Sequence, residues 1–173
     1  MSNLGFLTVL HEPSGYLGGY LVTNPWGRPL EFRLTTAVQP NRVQQILYAG
    51  TLQAYVCADL IGKTLVEKTA VPVQLVLTDC EAALDLRLLL SVPVVWVPPL
   101  EKPAAVPALV RQEGPMRLGR ANVRTHPRFP ADAGTVREVL ERLNGFIDLN
   151  EPFLRIREAV AEARKMGVTR NSG

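Results

Sequence analysis

The chain has 173 residues, 47% of them hydrophobic and 20% charged, with a net charge of +3 at pH 7. This length fits one compact domain with a buried core, and the composition excludes a globally disordered chain. The apolar stretches end well short of the roughly 18 residues that a membrane span needs, and the N-terminus lacks the basic and apolar regions of a secretory signal. We therefore expect a cytoplasmic protein that does not cross a membrane.

The first third of the chain predicts a β-meander. Segments 4–10, 16–23 and 30–35 are rich in apolar, aromatic and β-branched residues, and turn-forming residues separate them. Glycines inside a strand normally weaken it, so Gly18 and Gly19 indicate a bulge or a place where another backbone packs closely. We predict three consecutive antiparallel strands.

A long helix and a strand-helix-strand unit are predicted next. From Pro40 onward, apolar residues recur at steps of three and four, which places them on one face of a helix that Gly50 kinks or splits. Segments 73–78 and 92–97 are almost wholly apolar, and the stretch 81–90 between them has a helical pattern. Such strands suit a sheet that is covered on both faces, so we predict a parallel pair with a crossover helix.

The remaining chain divides into a basic, proline-rich segment and two helices. Prolines oppose continuous helix or ladder hydrogen bonding, so we predict an extended arm or linker over residues 101–131. Amphipathic patterns over 135–143 and 151–166 predict two helices. The predicted fold class is α/β (α+β). A three-stranded antiparallel meander, a long helix and a β-α-β unit build a mixed five-stranded sheet in a core domain of residues 1–100, and residues 132–173 form a helical C-terminal extension.

The predicted order β-β-β-α-β-α-β over residues 4–97 resembles the ribonuclease H-like arrangement. Enzymes of that fold hold two divalent metal ions with carboxylates in the middle of the first strand, on the first helix and at the end of the fourth strand. The resemblance places Asp59 on the helix and Asp79 at the end of the fourth strand. The first strand has no acidic residue, and Glu12 and Glu31 are the substitutes to consider. The alternative role of Asp79 is a cap on the helix that follows.

Other catalytic chemistry has little support in the sequence. His11 and His126 have no metal ligands at suitable spacing, so we expect surface roles for both. Cys57 and Cys80 are too few for a disulfide framework, and we expect them to be reduced and buried. The sequence contains neither a phosphate-binding loop nor a dinucleotide fingerprint. We therefore predict no cofactor, no resident metal and no catalytic residue outside the nuclease alternative.

Two pairs of residues are candidates for binding a partner. Trp26 and Arg28 lie on a predicted turn, and an indole beside a guanidinium is typical of interaction hot spots. The alternative is that Trp26 folds back over the meander. Tyr48 and Tyr55 lie on a partly polar helix face, which either binds a partner chain or meets water.

The basic segment is the candidate for binding a polyanion. Over residues 102–128 its cationic residues suit phosphate contacts and are opposed by Glu113 alone. They are Lys102, Arg111, Arg117, Arg120, Arg124 and Arg128. The alternative is a solvated linker whose cations pair with acidic residues of the C-terminal helices.

The function that follows from these patterns is an interaction. Residues 18–24 and 27–32 resemble uncharacterised bacterial hypothetical proteins of unknown function, a resemblance that implies no site. Because no acid, base and nucleophile converge in the sequence, the leading interpretation is a non-catalytic intracellular interaction or assembly module that binds a protein partner or a second copy of itself. Binding of a nucleic-acid backbone through residues 102–128 is the alternative. A divergent metal-dependent nuclease that uses the four carboxylates named above is a further one.

Overall fold

A computed structural model describes residues 2–99, 116–118, 121–143 and 148–167. The chain folds as a mixed α/β protein around a mixed β-sheet. Within these ranges, no helix is long and apolar enough to span a membrane. Residues 144–147, between the two predicted C-terminal helices, lie outside the described residues.

The predicted meander is present. It consists of β1 (Leu4–Glu12), β2 (Gly15–Thr23) and β3 (Pro29–Leu34), which pair antiparallel in sequence order. Gly15 begins β2 with a φ of 123°, a conformation that residues with side chains avoid, and this permits the tight turn between β1 and β2. Successive residues of each strand point to opposite faces, so the sheet can bury both of its surfaces.

The long helix is split near Gly50, as its sequence indicates. Helix α1 (Arg42–Tyr48) begins with a capping box, in which the side chains of Asn41 and Gln44 each accept from the other's backbone N–H group. A 3-10 turn then interrupts it at Ala49–Thr51. Helical structure resumes as α2 (Leu52–Ala54), a π-helical segment (Tyr55–Gly62) and α3 (Lys63–Lys68).

The strand-helix-strand unit is also present. Strand β4 (Leu75–Thr78) pairs parallel with β1, and β5 (Val94–Trp96) pairs parallel with β4. The helical stretch between them is a 3-10 helix, Glu81–Leu88. The first five strands therefore lie in the order β3-β2-β1-β4-β5, which is the mixed arrangement that the sequence predicts.

The sheet is larger than the five strands predicted. Strands β6 (Met116–Leu118) and β7 (Ala121–Thr125) pair antiparallel, and β7 pairs antiparallel with β5. The full order is β3-β2-β1-β4-β5-β7-β6. The described part of segment 101–131 therefore extends the sheet instead of forming a separate arm. Both strands lie between prolines, and β5 is distant in sequence, so the local pattern does not reveal this pairing.

Helices cover both faces of the sheet. The core on one face includes Phe6 and Ile156, and the core on the opposite face includes Leu7 and Ile61 of the π-helical segment. Adjacent residues of β1 thus serve different cores, as the period of a strand requires. The helices on the first face are α4 (Asp132–Arg142) and α5 (Glu151–Lys165).

Gly18 and Gly19 mark close packing on both faces. A Cβ atom at Gly18 would collide with Ile61, and one at Gly19 would collide with Ile156. Helices on opposite sides therefore approach β2 at two adjacent residues, where only glycine leaves room. The register shift between β2 and β3 lies further along β2, so the bulge alternative at these glycines is wrong. The predicted approach of another backbone is wrong as well, because side chains of the helices make these close contacts.

Candidate functional site

Asp79 lies directly after β4 and faces α5. Its Oδ1 accepts a hydrogen bond from Thr8 Oγ1 at 3.1 Å, and its Oδ2 accepts one from Arg157 Nη2 at 2.6 Å. The Asp79 side chain is 11% exposed and that of Arg157 is 45% exposed. Both carboxylate oxygens of a nearly buried acid are therefore satisfied by specific partners.

The predicted cap role of Asp79 is wrong. The 3-10 helix Glu81–Leu88 has Cys80 as its N-cap and no side-chain hydrogen bond at that position. The carboxylate instead faces the first strand, because β1 and β4 pair in parallel and Leu7 is the register partner of Thr78. Thr8 thus lies in the middle of the first strand, at the position where the ribonuclease H-like resemblance implies a carboxylate.

The other three acidic candidates lie apart from this contact. Glu12 forms an ion pair with Arg164 of α5, and Asp59 is exposed on the π-helical segment, which packs on the opposite face of the sheet. Within the described ranges, no group of three or more His, Cys, Asp or Glu residues could hold a metal ion. The four carboxylates of the nuclease alternative are therefore not gathered at one place.

Glu31 joins β3 to the end of the long helix. Its carboxylate accepts from the Ala70 backbone N–H at 3.2 Å and from Arg33 Nε at 3.1 Å. Partial desolvation opposes ionisation of Glu31, but these hydrogen bonds outweigh it and lower its pKa. A carboxyl group with a lowered pKa contributes stability above its unfolded-state pKa and loses that contribution as the pH falls through its folded-state pKa.

Arginines of α5 fasten this helix to the sheet at three places. Arg155 Nη1 donates to the backbone oxygen of Gly27 at 2.8 Å, Arg157 binds Asp79, and Arg164 binds Glu12. Arg157 and Arg164 lie seven residues apart on one side of α5, and Arg155 lies on the other side. The apolar face between them, which includes Ile156, packs over Gly19. The sequence does not reveal this role, because the i to i+4 spacing identifies the buried face of the helix but not which distant residues the arginines meet.

The turn between β2 and β3 presents its indole to solvent. Trp26 is 56% exposed and does not fold back over the meander. Asn24 Oδ1 accepts the backbone N–H groups of Trp26 and Arg28 at 3.0 Å each, which fixes the turn. The backbone at Trp26 and Arg28 is therefore held in a defined turn, and both side chains are exposed to solvent.

Tyr48 and Tyr55 stack on each other. Their ring centroids are 3.9 Å apart with an interplanar angle of 11°. The stack spans the 3-10 turn and connects α1 with the π-helical segment. The two rings therefore stabilise the split helix as well as forming part of its surface.

The aliphatic face of α1 is exposed, whereas its sequence pattern predicts a buried face. Val43, Ile46 and Leu47 are 62%, 60% and 75% exposed, and none of the residues of this fully described helix is buried. Their helical spacing is that of a core face, so periodicity alone predicts burial. The sequence signal that could have indicated an exposed helix is Gly50, because the 3-10 turn at this residue separates α1 from the packed helix that follows.

The basic segment is described only in part. Arg117 lies in β6, Arg124 lies over the Trp96 ring at 5.5 Å, and Arg128 is exposed. The other three cationic candidates, Lys102, Arg111 and Arg120, lie outside the described residues. The structure therefore leaves the nucleic-acid alternative as a prediction.

The predicted surface role is wrong for His126. This side chain is buried, and its Nε2 lies 2.9 Å from Asp85 Oδ1. Its Nδ1 accepts the backbone N–H of Arg128, so the neutral ring donates from Nε2 to Asp85. His11 is exposed and stacks on Tyr16. Both nitrogens of His126 are engaged in holding the chain after β7.

Comparison of the sequence with protein-family models and with curated proteins found no match. The fold and the contacts above are therefore the basis on which a function is proposed.

We expect Arg157→Ala to lower the free energy of unfolding by about 1 to 2 kcal/mol, since the nearly buried Asp79 then loses its charged partner. Arg142→Ala is the matched control, because Arg142 pairs with Glu138 at 2.6 Å but both side chains are exposed. That variant is expected to cost about 0.5 kcal/mol or less. Urea unfolding followed by circular dichroism measures both, and equal losses would contradict a special role for the Asp79 contact.

Proposed function

We propose that this protein is a non-catalytic interaction module with a ribonuclease H-like strand order, which self-associates through the exposed face of α1. The observation that carries the proposal is that this helix exposes all three of its branched aliphatic side chains, Val43, Ile46 and Leu47.

The energetics of α1 favour a covered state. A helix of seven residues is too short to be stable alone, and helices in proteins gain most of their stability by burying an apolar face. Here the capping box fixes the start of the helix, while its apolar side chains meet water. Covering each of them releases roughly 25 cal/mol per Å² of apolar area. A partner that packs on this face supplies what the described part of the chain does not.

A second copy of the chain is the partner that the charge distribution favours. Arg42 at the start of α1 is the one charged residue of this helix, and none follows it before Asp59, so the stretch that carries Val43, Ile46 and Leu47 offers little for a charged partner to complement. In a two-fold symmetric dimer each residue near the axis meets its own counterpart, and like charges there would repel. A neutral, aliphatic helix face avoids that repulsion. The stacked Tyr48 and Tyr55 rings lie beside it and widen the surface.

The contact at Asp79 supports the non-catalytic part of the proposal. In ribonuclease H-like enzymes the carboxylates of this region attract divalent cations. Here the Arg157 guanidinium neutralises Asp79, and the neutral Thr8 hydroxyl occupies the position on the first strand. This arrangement serves to dock α5 on the sheet.

The test is the mass of the protein in solution. We expect the purified chain to be a dimer at concentrations of roughly 10 to 100 μM, measured by analytical ultracentrifugation. Leu47→Glu places a charge in the centre of the proposed interface and is expected to weaken the dimer by about 30-fold or more. Because Leu47 is exposed, the variant should retain the wild-type circular dichroism spectrum.

Leu154→Glu is the matched control, since Leu154 of α5 is 60% exposed and lies away from α1. This variant is expected to dimerise like the wild type. A wild-type chain that stays monomeric throughout this concentration range would overturn the proposal. Equal weakening by both variants would place the interface elsewhere.

A further inference from the structure

Cys57 and Cys80 lie side by side although they are 23 residues apart in sequence. Their sulfur atoms are 3.8 Å apart. Cys57 belongs to the π-helical segment, and Cys80 follows β4 at the start of the 3-10 helix. A disulfide has an S–S distance of about 2.05 Å, so the two sulfur atoms must approach each other by roughly 1.7 Å to form one.

The two thiols differ in exposure and in acidity. Cys57 is buried, whereas Cys80 is partly exposed, so a soluble oxidant reaches Cys80 first. The hydrogen bond between the two thiols lowers the pKa of Cys80 to about 7, and the N–H groups of Ala83 and Ala82 contribute in the same direction against the effects of burial and of Asp79. The same pairing, together with burial, raises the pKa of Cys57. Cys80 is thus the nucleophile of the pair.

We propose that Cys57 and Cys80 form a reversible disulfide when hydrogen peroxide oxidises the protein, with Cys80 as the attacking thiolate and Cys57 as the resolving thiol. Cys80 attacks one peroxide oxygen, so an S–O bond forms, the O–O bond breaks and hydroxide leaves as water after taking a proton. Cys57 then attacks the Cys80 sulfur, an S–S bond forms, the S–O bond breaks, and the Cys57 proton leaves with that oxygen as a second water molecule. The two thiols are oxidised to one disulfide and one hydrogen peroxide is reduced to two water molecules.

This bridge would join two elements of one core. It links the π-helical segment to the end of β4, which the fold already holds in contact. The disulfide is therefore compatible with the native fold, and a thiol reductant should reverse it.

The experiment oxidises the reduced, full-length protein with hydrogen peroxide and maps its peptides without reduction. Trypsin cleaves after Arg42, Lys63, Lys68 and Arg87, so the two cysteines fall in separate peptides, 43–63 and 69–87. We expect these peptides to be joined within one chain, with a mass lower by two hydrogen atoms than their sum, and dithiothreitol to release them. Two free thiols after oxidation, a link between chains only, or Cys80 sulfinic acid beside an unmodified Cys57 thiol would each overturn the proposal.

Single variants test the assigned order of attack. In Cys57→Ala the sulfenic acid of Cys80 has no resolving thiol, so a dimedone adduct at Cys80 is expected to increase several-fold over the wild type. In Cys80→Ser we expect Cys57 to remain a free thiol that reacts with maleimide only after denaturation. A dimedone adduct at Cys57 in that variant would overturn the assigned roles. If Cys57→Ala does not fold, the wild-type peptide map still decides whether the disulfide forms.

Discussion

Replacing Arg87 with alanine is expected to lower the free energy of unfolding by about 3 to 5 kcal/mol. Arg87 Nε donates to Asp132 Oδ2 at 2.7 Å, and its Nη1 donates to the backbone oxygen of Leu90 at 2.8 Å. The guanidinium carbon lies 3.8 Å from the centroid of the Phe129 ring. The side chains of the pair are only 14% and 10% exposed, so alanine leaves the Asp132 carboxylate in a site with little water.

This ion pair joins the two halves of the chain. Arg87 belongs to the 3-10 helix after β4, and Asp132 is the first residue of α4. The loss is therefore expected to exceed that of Arg157→Ala, whose arginine is much more exposed. Urea unfolding measures the change, and a loss below about 1 kcal/mol would contradict the buried character of the pair.

The double variant Arg87→Met with Asp132→Leu is the informative control. It removes both charges and fills their space with apolar groups, so it is expected to be more stable than Arg87→Ala. If the double variant is the less stable of the two, the cost comes from lost packing rather than from an unpaired carboxylate.

The second large effect is expected for Phe6→Ala, which should cost about 3 to 5 kcal/mol. Phe6 in β1 is fully buried, and its ring meets that of Phe153 edge to face, with centroids 5.5 Å apart. Alanine would leave a cavity between β1 and α5. Because Phe153 lies one turn before Arg157, the same cavity would loosen the contact of α5 with Asp79.

Phe32→Ala is the matched control for this substitution. Phe32 lies in the edge strand β3 and is partly exposed, so the same change is expected to cost about 1.5 kcal/mol or less. Urea unfolding of both variants gives the comparison. Similar losses for the two would contradict the position of Phe6 at the centre of the core.

Local patterns predicted most of the elements of this fold. The strands are recognised by runs of apolar and β-branched residues, and the long helix by apolar residues at steps of three and four with a glycine at its break. All of these signals come from residues that are close in sequence. They were sufficient for the meander, the split helix and the parallel unit of β4 and β5. The same patterns could not predict the π-helical segment or the 3-10 type of the crossover helix, since helix type depends on packing against the sheet.

The candidate sites depended much more on tertiary structure. The sequence places an acid after β4 and arginines on the last helix, but only the packing of α5 on β1 brings Arg157 to Asp79. Likewise, Cys57 and Cys80 are far apart in the sequence. Only the packing of the π-helical segment against the 3-10 helix after β4 brings their sulfur atoms to 3.8 Å from each other.

By itself, then, the sequence determined the class of fold and the positions of most strands and helices, because these follow from contacts between residues close in the chain. Tertiary structure alone decided the addition of β6 and β7 to the sheet, the burial of His126, the exposure of α1 and the partners of Asp79 and Cys80. Each of these depends on contacts between distant segments, which hydrophobic periodicity and local spacing do not specify.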